Sequence, residues 1–133
     1  MKHNLTLRIT SLLSILFLTF HLAQDTLHAR VGTPEAGGST LIGVPILVVW
    51  LFGTLVLGER RSGHIIMLVG SIFAMGMPVL HVMGSAGIFH VDFTKYSGAF
   101  WFVWSLFVLG VTGMFSFILS VCGLWSLRRG QPR

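Results

Sequence analysis

An all-α fold, an integral membrane protein built as a bundle of four transmembrane helices in one domain over residues 1–133, is what this sequence predicts. Three observations carry that expectation. Apolar residues make up 53% of the chain and charged ones 10%, with a mean hydropathy of +0.83, too little charge to keep a soluble domain of this size dispersed. The apolar residues fall into four stretches of about 20 residues or more, the length a helix needs to cross about 30 Å of hydrocarbon. Nearly every ionisable group lies between those stretches or at their ends. In lipid each backbone amide must be satisfied within its own segment, and for segments this long that means helices.

The first span, residues 5–27, is interrupted by Arg8 near its start and by His21, Gln24 and Asp25 near its end. Lys2 and Arg8 ahead of Ile9 to Leu22 also have the shape of a secretory signal. Its best cleavage site, Leu27-His28-Ala29, puts a bulky Leu where a small residue is usual, so retention as a helix is expected. The second span, 40–58, follows the loop break Gly37-Gly38-Ser39 and carries no charge. The third, 64–84, holds His81. Pro45 and Pro78 lie within these two spans, and each is expected to kink its helix by removing a hydrogen bond. The fourth, 98–127, is uncharged and about ten residues longer than a bilayer requires, so it should tilt or project. Small residues suggest contact seams: Gly70 and Ala74 in the third span, and Gly113, Ser116, Ser120 and Gly123 in the fourth, with Gly110 read as lying off that stripe. The two halves show no internal repeat, so an inverted-repeat transporter is not supported.

Orientation follows from Lys and Arg. With four spans, Lys2, Arg8, Arg60, Arg61, Arg128, Arg129 and Arg133 share one side, and Arg30 and Lys95 the other. Seven against two predicts both termini in the cytoplasm, in a plasma or inner membrane. Tyr96, Trp101 and Trp125 suit interfacial anchors, while Trp50 and Trp104 sit deeper and are expected between helices. The expected partners are therefore the lipid bilayer and either other membrane subunits or further copies of the chain. The net charge of +5 does not point to nucleic acid, because Lys and Arg gather at segment ends rather than along a helix face. Glu59-Arg60-Arg61 reads as a cytoplasmic turn facing anionic headgroups.

With that topology His21, Asp25, His28, His81, His90 and Asp92 all fall on the outer side. From the 1.5 Å rise, His21 and His81 come to roughly 24–26 Å along their helices, at similar depth. His21, Asp25 and His28 stand at i, i+4 and i+7, one polar stripe on an apolar helix. Met77 precedes His81 by four residues on the same face, and an extended Phe89–Phe93 segment would turn His90 and Asp92 the same way. Imidazole and carboxylate suit a transition-metal ion, and thioether favours the cuprous one, so His21, Asp25, His28, Met77, His81, His90 and Asp92 are the candidate metal ligands. His21 and His81 are also candidate axial ligands of a haem. A proton or cation path is a further reading. Against all three stands a polar cap, in which the same residues fix helix ends near the headgroups.

Other chemistry is missing from the sequence. It holds no HExxH, no GxSxG and no phosphate-cradling loop with its lysine, and no catalytic residue is assigned. Cys122, the only cysteine, excludes an internal disulfide and the paired-thiol chemistry of four-helix membrane oxidoreductases. In length and span number the chain is similar to the small multidrug resistance transporters. Their membrane-embedded glutamate has no counterpart here, since the only acid in the first span is Asp25 near its outer end. The expectation is a small multi-pass membrane protein with an outward-facing His/Asp site, an accessory or structural subunit without catalysis of its own. The alternative is a metal- or haem-binding redox protein or cation carrier that uses the same residues.

Overall fold

Long apolar runs leave the backbone one way to satisfy its amides, and the chain takes it four times. The computed structural model describes residues 2–29, 36–83 and 99–129, and their secondary structure is helical: α1 (Lys2–Ala29), α2 (Ala36–Leu55), α3 (Arg61–Met83) and α4 (Ala99–Arg128). Three of them carry stretches long and apolar enough to cross a membrane, Asn4–Gln24, Arg61–Met83 and Phe100–Arg128; in α2 the apolar helix described is the shorter Ile42–Leu55. The four helices overlap the four apolar stretches read from the sequence. The second helix begins at Ala36, four residues before the expected start, and stops at Leu55 rather than residue 58. Hydrophobicity alone carried Val56 and Leu57 into the span, but Val56 N donates to the Phe52 carbonyl at 2.9 Å and Arg60 N to the Leu57 carbonyl at 2.8 Å, closing a turn. Gly63 lies so close to the Leu57 carbonyl that no side chain fits there. On the other flank, Arg8 of α1 reaches Glu59 of the same turn at 3.9 Å. Pro45 and Pro78 both lie inside helices that continue past them.

Each helix packs against its two chain-order neighbours around a ring, α1–α2–α3–α4–α1, with α1 and α3 across a diagonal where they touch little. The pairings run antiparallel: Ser11 meets Thr54 and Leu22 meets Gly43 between α1 and α2; His64 meets Gly123 and Ala74 meets Gly113 between α3 and α4. The interior holds Leu7, Leu18, Met67, Leu106 and Leu109, while Val48, Phe52, Val69, Leu80, Phe107 and Phe115 point outward and are exposed. A helix that is apolar on its outer face as well as its inner one is of the kind found buried in a large protein core or spanning a membrane.

The small-residue faces are where the backbones approach. A Cβ added at Gly113 would lie 2.9 Å from Ala74 Cβ and 3.2 Å from the Met75 nitrogen, and Ser116, Ser120 and Gly123 are buried with it. Gly110 does not lie off this seam. Three residues before Gly113 it continues the same helix face, and its added Cβ would meet Pro78 Cγ at 3.0 Å. Trp50 is packed between helices as expected, 1% exposed. Trp104 is not: it faces outward, 49% exposed, with its ring against Phe107, because its rotation about α4 and not its depth decides its surroundings.

One polar network ties α1 to α2. Trp50 Nε1 donates to Ser11 Oγ at 2.8 Å, and Thr54 Oγ1 donates to the Trp50 carbonyl at 2.9 Å. Thr54 has a single hydroxyl proton, so in its 2.8 Å contact with Ser11 Ser11 must be the donor. The chain of bonds starts and ends on Trp50, and each hydroxyl in it both donates and accepts.

Candidate functional site

His21 occupies the fifth and sixth turns of α1, His81 the last turns of α3, and the up-down-up-down ring brings both to the same end of the molecule. The two imidazoles meet across the diagonal. Their ring centroids are 4.7 Å apart and their planes 82° to one another, an edge-to-face contact. Phe102 of α4 closes the third side, 5.1 Å from His21 and 5.6 Å from His81. His21 is completely buried and His81 partly so. Two polar side chains lie a turn further along: Ser105 Oγ of α4 donates to Gln24 Oε1 at 3.0 Å and lies 2.9 Å from the Phe102 carbonyl.

His81 Nδ1 is 2.9 Å from the Met77 carbonyl. A carbonyl only accepts, so Nδ1 carries the proton when the ring is neutral, and Nε2 keeps its lone pair. Metal-ligating histidines are commonly oriented in this way. Met77 itself is buried one turn before His81. A haem held between two histidines requires the rings on opposite faces of a macrocycle. The imidazoles are instead in direct edge contact.

The other sequence candidates divide in two. Asp25 and His28 lie on the α1 backbone, so their i+4 and i+7 spacing from His21 stands, but their side chains are outside the described residues, as are His90 and Asp92 entirely. Among the described residues no three His, Cys, Asp or Glu side chains gather to hold a metal ion. What is described is therefore a two-imidazole pair with Met77 near it.

Sequence reasoning missed Phe102, Gln24 and Ser105 at this site. Gln24, three residues after His21, was visible as a continuation of the polar stripe. Phe102 is one of several aromatics at the start of α4, and only the helix's rotation singles it out. A third histidine, His64, lies at the opposite end of the bundle and is buried, 1% exposed, with Nδ1 3.1 Å from the Arg60 carbonyl and its ring against Gly123. Comparison with protein-family models, with curated proteins and with solved structures finds nothing that matches this chain.

Proposed function

We propose that this chain is a small four-span membrane protein, both termini cytoplasmic, that holds a transition-metal ion at paired imidazoles just beneath the outer membrane surface. It acts as a non-catalytic subunit of a larger membrane assembly. The observation that carries the reading is the contact of His21 with His81, from two helices that otherwise barely touch. Ionisable side chains within spans are rare and by default functional. Two imidazoles suit zinc or copper, and Asp25, His28, Met77, His90 and Asp92 are the residues from which further ligands would come.

The test is a metal titration of the purified full chain in detergent, with zinc and with cuprous ion supplied under reducing conditions. One ion per chain is expected, with binding lost in His21→Leu, His81→Leu and the double variant. Melting the same variants separates ligation from packing. Replacing both polar rings by apolar residues of similar volume should leave stability within about 1 kcal/mol of wild type. Binding unchanged in the double variant, or no binding in wild type, would return the pair to a structural role.

A further inference from the structure

At the end of the molecule opposite the histidine pair, α3 and α4 part to form a groove of about 700 Å³, within the roughly 300–1,000 Å³ of ordinary ligand sites. Its rim and floor differ in chemistry. The exposed Arg61 at the start of α3, and Trp125, Arg128 and Arg129 at the end of α4, make its rim, while the half-buried Leu68 and Leu124 lie deeper. All three arginines are exposed. The Arg129 guanidinium lies over the Trp125 ring, 4.9 Å from its centroid.

The rim carries three positive charges, and among the described residues no carboxylate answers them. The one ion pair described is Arg8 with Glu59, which occupies the acid nearest in sequence on the α1 side. Meanwhile the walls open outward through Ile65 and Val121, 44% and 38% exposed, onto the apolar belt of α3 and α4. A soluble anion would gain nothing from that apolar continuation. A molecule with an anionic head and a long hydrocarbon tail would use both halves. From this charge and apolar complementarity we infer that the α3–α4 groove is a binding site for one anionic glycerophospholipid, its phosphate on Arg61, Arg128 and Arg129 and an acyl chain along Leu68 and Leu124. Basic pockets between membrane helices bind lipid headgroups in this manner. The inference rests on the bilayer part of the proposed function and is independent of the histidine pair.

Native mass spectrometry of the full chain, released from neutral detergent with dioleoyl phosphatidylglycerol or dioleoyl phosphatidylcholine added, tests it. One phosphatidylglycerol should be retained saturably, with phosphatidylcholine much weaker. Each of Arg61→Gln, Arg128→Gln and Arg129→Gln should weaken phosphatidylglycerol about fivefold, and the triple variant about a hundredfold. Arg60→Gln removes the same charge from the neighbouring turn but outside the groove, and should leave retention unchanged. The triple variant replaces only exposed side chains, and its melting temperature checks that it folds. Equal retention of the two lipids, an effect of Arg60→Gln matching that of Arg61→Gln, or displacement of the lipid by millimolar inorganic phosphate would overturn the site. A chain that stays soluble and folded without detergent would overturn the bilayer reading itself.

Discussion

Gly70→Ala and Gly76→Ala make the same chemical change twice in α3, and the expected signs are opposite. In a helix interior Ala is favoured over Gly by about 1 kcal/mol. At Gly76 an added Cβ meets nothing within 4 Å, so most of that gain should survive as a stabilisation of about 0.5–1 kcal/mol. At Gly70 the same methyl arrives 2.6 Å from Cε2 and 2.7 Å from Cγ of Trp50. That ring is enclosed, 1% exposed, and its Nε1 is held 2.8 Å from Ser11 Oγ. It cannot give way without stretching the bond or entering the core. Overpacking of this kind costs about 1–3 kcal/mol, and a strained hydrogen bond adds about 1 kcal/mol. Set against the helix gain, Gly70→Ala should destabilise by about 1–3 kcal/mol.

The assay is unfolding of the full chain in mixed micelles, titrated with a denaturing detergent and followed by far-ultraviolet circular dichroism. Wild type, Gly70→Ala and Gly76→Ala are compared under one condition. Trp50→Leu serves as the second leg of a double-mutant cycle. If the ring is what the methyl strikes, Gly70→Ala should be milder in the Trp50→Leu background, with a coupling of about 1 kcal/mol or more. A Gly70→Ala protein within about 0.5 kcal/mol of wild type, well below the overpacking cost, would refute the claim that Trp50 wedged on Gly70 joins α2 to α3.

The Trp50 network gives a second expectation from the same assay. Ser11→Ala strands the Trp50 N–H and should cost about 1–2 kcal/mol, whereas Thr54→Ser keeps the hydroxyl and the closed chain of bonds and should cost less than Ser11→Ala. Reporter fusions at Arg133 and in the loop at Pro34 should report opposite sides of the membrane, as the Lys/Arg asymmetry requires; a mature chain beginning at Arg30 would rule out four retained spans.

The helices were legible because each is a long, mostly apolar run, a one-dimensional property of the sequence. Their lateral order was legible only in part. The stripe Gly113, Ser116, Ser120, Gly123 named the face of α4 that meets α3, since small side chains are what let backbones close. Gly110 and Trp104 were misjudged because both depend on the rotation of α4 about its axis, which uniform hydrophobicity does not encode. Depth was easier. The fixed rise per residue put His21 and His81 level, and the two rings are in contact. Phe102 and Ser105 were not recoverable, since a helix rich in aromatics offers no reason to prefer one of them until its neighbours are placed. The turn at residues 56–60 was missed for a different reason: Val56 and Leu57 are apolar by character yet leave the helix, with Gly58 beyond them buried beside Arg8.

The bundle joins its helices with polar groups in two ways, and the contrast bears on what the histidines are for. Between α1 and α2 the link is made by Ser11, Thr54 and the Trp50 N–H, small neutral groups that satisfy one another. Hydroxyls of this kind fix helices at little desolvation cost, because none of them carries a charge to lose. Between α1 and α3 the link is made by two titratable rings, one of them completely buried. Holding helices together does not require that choice, as the hydroxyl network in the same molecule demonstrates. Imidazole adds what a hydroxyl lacks: a nitrogen lone pair able to ligate a metal ion. On His81 that lone pair is assigned to Nε2 by the hydrogen bond at Nδ1. The metal titration of the His21 and His81 variants measures whether the pair uses that lone pair or serves only to pack the helices.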